Sequence, residues 1–476
     1  MAAATGIVQR RVLLVDPHDC TDDPDALALL EAVHEALVRR GPDGRWLPAL
    51  AERWTVSADA RRWVFQLRQG ARFHDGAPVD AEAVAQSLER MKRPEIGATL
   101  GAPAVWAQYL SDARIVPRDG STIAVELEHP LADLLDVLGS GYVLSPLAPD
   151  GSPVGCGAWR IDSYAADDHL RLRADPDHHS APPAGAELLW RRVATAAGRA
   201  EALAAGAARV ATDLGHDGRA RLAGVPGVTL ADHLSPTAII YLLNAARGPL
   251  ADPRVRRALN LAIDRRALVA AVLGGAGRPL TGFISPMHAG ADPADADPDP
   301  DPAAARLLLR EAGHCGGLTI EVDCPTRLPD EAEALTAAVA AQLAPLGVTL
   351  VVHRVEDRTA YANQVRLKRI HDMCVFDSSP MSTFRVLHEK IDSRIAGSWW
   401  QGYRNVEVEA VLDAARITVE DGAREELYRH CYRLLRKDPP WLYLYNHSRT
   451  VGLAGSHPGW RMRADGVLDV RMLPVL

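Results

Sequence analysis

The chain has 476 residues, of which 47% are hydrophobic and 24% are charged, and its formal net charge is -8. This composition is typical of a folded protein and excludes a chain that is disordered throughout. The length predicts two to four domains or lobes at roughly 100–200 residues each. The negative charge disfavours nucleic acid and anionic membranes as partners.

The cysteines and the start of the chain limit where the protein works. The six cysteines form no C-x-x-C pair, which disfavours a zinc site and a disulfide framework. No apolar run approaches the roughly 18 residues of a membrane-spanning helix. The start, MAAATGIVQRRVLLVDPHDC, lacks the pattern of a signal peptide. We therefore expect a cytoplasmic protein if Met1 is the native start, or an exported one whose leader was removed.

The first clear unit along the chain is a strand, a turn and a capped helix. In RRWVFQLR, Trp63, Phe65 and Leu67 recur at every second position, the pattern of a half-buried strand. The following His-Asp-Gly predicts a turn, because Gly76 tolerates positive φ. Asp80 is then placed to cap a helix.

A second unit predicts two capped helices. Asp252 and Pro253 predict the start of the first helix. Asp264 is placed to cap the second helix, and Gly274 and Gly275 predict its end. Further on, the segment ADPADADPDPDP predicts a surface loop, and AAARLLLREAG predicts a helix. The segment AEALTAAVAAQLAPLGVTLVVHRV then predicts helix, turn and strand. This alternation indicates an α/β protein.

The sequence contains fragments of metal-binding and catalytic motifs, but their residues do not have the identity or spacing that those motifs require. His74 and Asp75 could share a metal or shape a turn, and the Asp-Gly step favours the turn. The loop from Asp295 has the wrong residues for calcium at its sixth and twelfth positions. HEKID ends in Asp392 where a zinc-protease helix needs histidine. Nucleophile-elbow, dinucleotide and P-loop patterns are also missing. The sequence therefore predicts no catalytic residue, no metal and no cofactor.

Several segments, in a fixed order, resemble one known family. The segment LPALAERWTVSADARRWVFQLRQGARFHDGAPVDAEAVAQSLERM holds the most specific motifs, LAExW, FxLR, FHDG and SLER. It is followed by PVGCGAWRIDSY, LLNAARGPLADPRVRRALNLAIDRRALV, ARLLLREAG, WWQGYRNVEVEAVLDAAR and LYRHCYRLLRKDPPWLYLYN. Over nearly its whole length the chain is similar to the family 5 extracellular solute-binding proteins, which include the oligopeptide, dipeptide and nickel receptors of ABC importers.

The resemblance implies a two-lobed α/β fold of the periplasmic-binding-protein type (type II, cluster C-like), with an extra small lobe and a hinge between lobes. It divides the chain into three parts. Lobe I is expected to comprise residues 1–30, 156–247 and 448–476. Lobe II, the small lobe, comprises 31–155, and lobe III comprises 248–447.

The resemblance also implies a function. A short peptide or peptide-like solute would be captured as the lobes close and delivered to an ABC transporter permease, by a monomer that works outside the cytoplasm. The alternative is an intracellular enzyme, or a biosynthetic or sensor protein, that reuses the fold. The missing signal segment and the unpaired cysteines motivate it.

Departures from the family pattern suggest where this chain binds solute. Where many members carry Gly-Thr-Gly-Pro-Tyr, this chain has Cys156 and Trp159 in a Gly-Cys-Gly-Ala-Trp segment. In the loop HDMCVFDSSPMSTFRVLHEK, Asp377 is a candidate for a ligand amine or for capping a turn. Arg385 is a candidate for a ligand carboxylate or for a structural ion pair.

An aromatic group completes the candidate ligand-binding residues. Trp399, Trp400 and Tyr403 lie close together in a chain with few aromatic residues. Aromatic rings suit the wall of a binding site, because they bring a large contact area at a low entropy cost. The alternative for all three is packing in the core.

Overall fold

The computed structural model describes residues 5–20, 22–97, 104–147, 153–180, 187–292, 299–326 and 329–474. They form two compact units. Unit 1 contains the described residues of Met1–Thr99, Pro103–His233 and Arg449–Leu476, and unit 2 contains Leu234–Ser448. Half of the predicted Asp/Pro-rich loop, residues 293–298, lies outside the described residues.

Unit 1 begins with a parallel strand pair and continues with mostly antiparallel strands. Its elements in chain order are β1 (Thr5–Gln9), α1 (Pro24–Val33), β2 (Val38–Arg40), β3 (Trp46–Pro48), β4 (Ala51–Val56), β5 (Arg62–Leu67), α2 (Ala81–Met91), α3 (Ala107–Leu110), β6 (Arg114–Asp119), β7 (Thr122–Glu126), α4 (Leu134–Leu138), β8 (Trp159–Ala165), β9 (His169–Ala174), β10 (Glu187–Arg192), α5 (Ala196–Ala204), β11 (Val210–Ala211) and α6 (Gly215–Leu222).

The main sheet of unit 1 has β1 between two parallel neighbours, β10 and β11. Strands β9 and β8 extend the sheet beyond β10 in antiparallel fashion. A core packs against this sheet, with Ile7, Trp159, Leu172 and Trp190 fully buried. The sheet therefore buries apolar side chains from strands that are far apart in the sequence.

The predicted strand, turn and helix are confirmed in unit 1. Strand β5 buries Trp63, Phe65 and Leu67 within a four-stranded antiparallel sheet of order β4-β5-β7-β6. The side chain of Asp80 accepts a hydrogen bond from the backbone N–H of Ala83 and so caps α2.

Two long strands belong to both units along the chain. They are β12 (Val228–Leu243) and β17 (Trp441–Ala454). Within unit 2 the further elements are α7 (Pro253–Ala262), α8 (Arg265–Leu273), β13 (Gly277–Pro279), α9 (Pro302–Glu311), β14 (Leu318–Pro325), α10 (Ala332–Leu343), β15 (Val348–Val355), α11 (Arg358–Arg366), β16 (Met373–Ser378), α12 (Thr383–Lys390), α13 (Val406–Ile417) and α14 (Asp421–Lys437).

The sheet of unit 2 has the order β15-β14-β16-β12. Strand β14 pairs in parallel with both β15 and β16, whereas β16 and β12 are antiparallel. Apolar residues on one face of the sheet, among them Ile320, Val322 and Tyr241, pack against helices α7, α8 and α10. Because successive side chains of a strand alternate between faces, the opposite face of β14 carries the polar residues Thr319, Glu321 and Asp323.

The caps predicted for unit 2 are confirmed. The side chain of Asp252 accepts from the backbone N–H of Arg254, and that of Asp264 accepts from Ala267. Gly274 ends α8 with a φ of 58°, a left-handed conformation that glycine adopts without strain. The predicted segments around α9, α10 and β15 also have the expected structure.

The two units do not test the three predicted lobes. The predicted lobe III, 248–447, lies within unit 2, and the described residues of the smaller lobe II lie within unit 1. The lobe boundaries therefore stay a prediction. All six cysteines are free thiols. Among the described residues, every helix is too short or too polar to cross a membrane.

Candidate functional site

The His-Asp-Gly turn of unit 1 is held by the glycine-rich segment that precedes β8. The backbone N–H of His74 donates to the carbonyl of Gly155 at 2.9 Å, and His74 Nε2 lies 2.9 Å from the carbonyl oxygen of Gly157. Asp75 accepts from the backbone N–H two residues on at 3.0 Å, and Gly76 has a φ of 89°. Burial lowers the pKa of His74 and favours its neutral ring. Both side chains thus shape the turn, as the sequence predicted.

The glycine-rich segment itself packs against the end of α1. A Cβ atom on Gly157 would lie 2.5 Å from the carbonyl carbon of Val33, so this approach requires glycine. Cys156 and Trp159 are buried in the core of unit 1. Burial raises the pKa of the Cys156 thiol far above its ordinary value, which makes the thiol unreactive. That either residue touches a solute stays a prediction.

In unit 2, Asp377 lies near the end of β16, and its side chain is 34% exposed. Burial raises the pKa of Asp377, and the positive charges of Arg358 and Lys390 offset part of this rise. Arg358 Nη2 is 3.8 Å from the carboxylate, too far for a direct hydrogen bond. The buried Nε of Arg358 has no hydrogen-bond partner among the described residues. Asp377 and Arg358 are therefore an incompletely satisfied pair.

Arg385 makes an internal ion pair. Its Nε donates to Glu389 Oε1 at 2.9 Å, and both side chains are buried on α12. Lys390, on the same helix, donates from Nζ to Ser378 Oγ at 2.9 Å. Helix α12 is buried at every position, although it carries several charged residues. The role predicted for Arg385 at a solute carboxylate stays a prediction.

The three predicted aromatic residues have different surroundings. The rings of Trp399 and Phe376 are 5.1 Å apart, and Trp400 Nε1 donates to the carbonyl of Tyr403 at 2.6 Å. Tyr403 is buried, and its hydroxyl donates to the carbonyl of Asp438 at 2.9 Å. Tyr403 thus packs inside unit 2, whereas the side chains of both tryptophans remain partly exposed.

The structure does not bring all the predicted residues into one group. Successive side chains of a strand point to opposite faces, so Asp377 and the Phe376–Trp399 pair lie on opposite faces of β16. The sequence pattern gives no indication of Arg358, the nearest cation to Asp377. Arg358 opens α11 after the cap residue Asp357, and nothing in their spacing links that helix to β16.

An open depression of about 590 Å³ lies elsewhere in unit 2. Arg404, Asn405, Val406, Glu407, Leu434, Lys437 and Asp438 line it. It contains none of the predicted solute-binding residues. Its position beside the ends of α13 and α14 does not connect it with Asp377, so we assign no solute to it.

Two groups of side chains have the composition of a metal site. Glu35, His178 and His179 meet in unit 1. Glu321, His353 and His371 meet in unit 2. The prediction that the protein needs no metal rested on spacing along the sequence. Both groups combine residues from distant segments, which such spacing cannot reveal.

The chain was compared with known proteins. Residues 45–384 match the model of the bacterial extracellular solute-binding proteins, family 5 Middle. The glutathione-binding protein GsiB of Salmonella paratyphi A is 25% identical over 448 residues, which cover 90% of this chain and 86% of that protein. Di/tripeptide-binding protein 2 of Pseudomonas aeruginosa is 27% identical over 438 residues, covering 84% of this chain and 80% of that protein.

A solved structure gives the same fold. The periplasmic binding protein DppA of Helicobacter pylori, in complex with the peptide STSA, has a TM-score of 0.81 and 21% identity. The match covers 99% of this chain and 97% of that one. The predicted periplasmic-binding-protein-like α/β fold class is therefore confirmed. The family match covers well over half of the chain, so the protein belongs to the bacterial extracellular solute-binding proteins of family 5.

Proposed function

We propose that the protein is the solute receptor of an ABC importer and that its solute is a short peptide or peptide-like compound with a free ammonium group. Membership of a solute-binding family supports capture without chemical conversion. The relatives named for glutathione and for di- and tripeptides support this solute class. A permease partner, an extracytoplasmic location and a monomeric state follow from the same proposal.

The observation that carries the proposal is the state of Asp377. Its carboxylate is partly removed from water, its pKa is raised by burial, and its nearest cation stands 3.8 Å away. A solute ammonium at about 2.7–2.9 Å would form the charge-assisted hydrogen bond that Arg358 does not make. Binding would thus relieve an unfavourable charge in the free protein.

Arg358 is the candidate partner for a carboxylate of the solute. Its Nε has no partner among the described residues, and its guanidinium lies close to Asp377. The γ-glutamyl head of glutathione carries its ammonium and its carboxylate on one carbon atom, so it can reach both groups at once, whereas a di- or tripeptide would bring its N-terminal ammonium to Asp377. Arg385 is less suited to this role than Arg358, because its Nε is already bonded to Glu389.

Calorimetric titration with dipeptides, tripeptides and glutathione tests the solute class. Each solute is compared with its N-acetylated form, which lacks the ammonium charge. We expect the free-amine solutes to bind and the acetylated forms to bind at least tenfold more weakly. A tenfold loss of affinity corresponds to about 1.4 kcal/mol of binding free energy. Equal binding of both forms would contradict the role of the ammonium group.

Substitutions then test the site. Asp377→Asn is expected to weaken binding by about 2–5 kcal/mol, the range for removing one partner of a desolvated ion pair. Glu356→Gln is the matched control, because it removes an exposed carboxylate from the same unit. If Asp377→Asn and Glu356→Gln have the same affinity as the unchanged protein, the solute binds elsewhere.

A further inference from the structure

Three neighbouring strands of unit 2 bring a carboxylate and two imidazoles together. Glu321 lies on β14, His353 lies on β15, and His371 comes just before β16. Because β14 pairs in parallel with both β15 and β16, it lies between the two histidine-bearing segments. Glu321 and His353 belong to the polar face of the sheet, opposite the core residues Ile320 and Val322.

The distances match a metal site better than a hydrogen-bonded cluster. Nε2 of His353 and Nε2 of His371 lie 3.5 Å and 3.6 Å from the same oxygen, Glu321 Oε2. These separations are too long for good hydrogen bonds. Ligands bound tetrahedrally at about 2.0–2.2 Å from one zinc ion stand about 3.3–3.6 Å apart. The two rings are stacked, with centroids 4.0 Å apart and an interplanar angle of 12°. Their in-plane lone pairs run nearly parallel, so one ring has to turn about its side-chain bonds for both Nε2 atoms to face one ion.

A buried aspartate fixes the orientation of His371. Asp323 is 1% exposed, and its Oδ1 lies 2.7 Å from His371 Nδ1. Its Oδ2 accepts from the backbone N–H of His371 at 2.8 Å. A carboxylate only accepts hydrogen bonds, so Nδ1 carries the proton and Nε2 of the neutral ring keeps its lone pair. This carboxylate–histidine arrangement is the one that orients metal-binding histidines.

The second histidine, His353, also has a nitrogen atom that is available to bind a metal. Nε2 of His353 is buried and has no hydrogen-bond partner among the described residues. The Glu321 side chain is 48% exposed, which gives an ion access from solvent. Glu321 and Asp323 together supply two negative charges, enough to balance a divalent cation.

We propose that Glu321, His353 and His371 bind a divalent transition metal ion of the Zn²⁺ class, with Asp323 as the positioning residue. Two imidazoles and one carboxylate are ligands that suit Zn²⁺, and they leave a fourth position for water. This site shares no residue with the proposed solute site. It also departs from the expectation, drawn from sequence spacing, that the protein binds no metal.

The test uses the full, untagged chain after treatment with a chelator. Titration with Zn²⁺, followed by calorimetry and elemental analysis, should give one bound equivalent. His353→Gln and His371→Gln should each weaken Zn²⁺ binding by more than about 100-fold, and Asp323→Asn by about 10–100-fold. His430→Gln, which changes an exposed histidine on α14, is the matched control and should bind like the unchanged chain.

Two further measurements do not depend on variants with substitutions at buried positions. The Cu²⁺-loaded unchanged chain should show nitrogen couplings from two imidazoles in electron paramagnetic resonance, and the exposed Glu321→Gln variant should weaken Zn²⁺ binding without loss of structure. The proposal is overturned if the unchanged chain binds no Zn²⁺. It is equally overturned if binding survives His353→Gln and His371→Gln, or is lost only when His178 and His179 are replaced.

Discussion

The two units each contain a glutamate with two histidines, but the two groups differ in their surroundings. In unit 1 the side chains of Glu35, His178 and His179 are at most 6% exposed. In unit 2 the side chains of Glu321 and His371 are 48% and 39% exposed. The same set of one glutamate and two histidines thus occurs once in a buried site and once at a surface that an ion can reach.

The hydrogen bonds of the histidines separate the groups further. His178 Nδ1 accepts from the backbone N–H of Ser180 at 3.3 Å. The neutral ring of His178 must then carry its proton on Nε2, which faces Glu35. In unit 2 the reverse holds, because Asp323 keeps the proton of His371 on Nδ1. A ring nitrogen that carries a proton has no free lone pair for a metal, so the tautomer that the protein holds favours metal binding at His371 over His178.

The charges around the two glutamates also differ. Arg471 Nη1 lies 3.9 Å from Glu35 Oε1, which places a cation beside the buried carboxylate. Burial opposes ionisation of Glu35, but contacts with His178, His179 and Arg471 outweigh it and hold the pKa of Glu35 below its usual value. The buried group is therefore balanced by protein groups, whereas the surface group has room for an external ion.

The largest expected effect concerns stability. Glu35→Ala should lower the free energy of unfolding by about 3–5 kcal/mol, because it leaves buried donors and a cation without their acceptor. Glu321→Ala, measured without metal, should cost less than about 1 kcal/mol, as exposed charges do. Urea unfolding of both variants measures the difference. Similar losses in the two variants would show that burial does not distinguish the groups.

The next largest expected effect is a dependence of the free energy of unfolding on pH. Burial lowers the pKa of His34, in unit 1, to about 3. The unfolded chain binds the proton near pH 6.5 and the folded chain does not, so stability is full above about pH 6.5 and falls as the pH drops towards 3. Between these two pH values, His34 alone changes the free energy of unfolding by up to about 1.4 kcal/mol per pH unit.

Unfolding free energies measured between pH 4 and 7.5 test this slope. The variant His34→Gln should have a shallower dependence on pH than the unchanged chain, even if its stability at pH 7.5 is lower. His430→Gln, at an exposed position, should keep the original slope. A parallel shift of the whole curve for His34→Gln would mean that His34 does not titrate with unfolding.

The sequence predicted the local structure well, because local rules decide it. The caps at Asp80, Asp252 and Asp264 and the turn at Gly76 depend on neighbouring residues alone. The resemblance of motifs in a fixed order predicted the family and the fold class, which the comparisons confirm.

The sites could be predicted only in part, because they combine distant segments. The sequence indicates Asp377, but its neighbour Arg358 comes from helix α11, a separate segment of the chain. The pairing of β14 with β15 places Asp323 opposite His353, and no spacing along the chain reveals that register. Arg385 also illustrates the limit, since the sequence does not show whether its partner is a solute or Glu389.

The smallest expected effect is the position of one proton, and it tests the comparison most directly. At pH 8 without metal, His371 should be the Nδ1–H tautomer and His178 the Nε2–H tautomer. Long-range ¹H–¹⁵N correlation spectra of a chain labelled only at histidine distinguish the two forms, and His371→Gln and His178→Gln variants assign the signals. Asp323→Asn should shift His371 towards the other tautomer, because an amide no longer demands a proton on Nδ1. If His178 and His371 show the same tautomer in the unchanged chain, hydrogen bonding does not set the two groups apart. The surface group would then have no advantage over the buried one as a metal site.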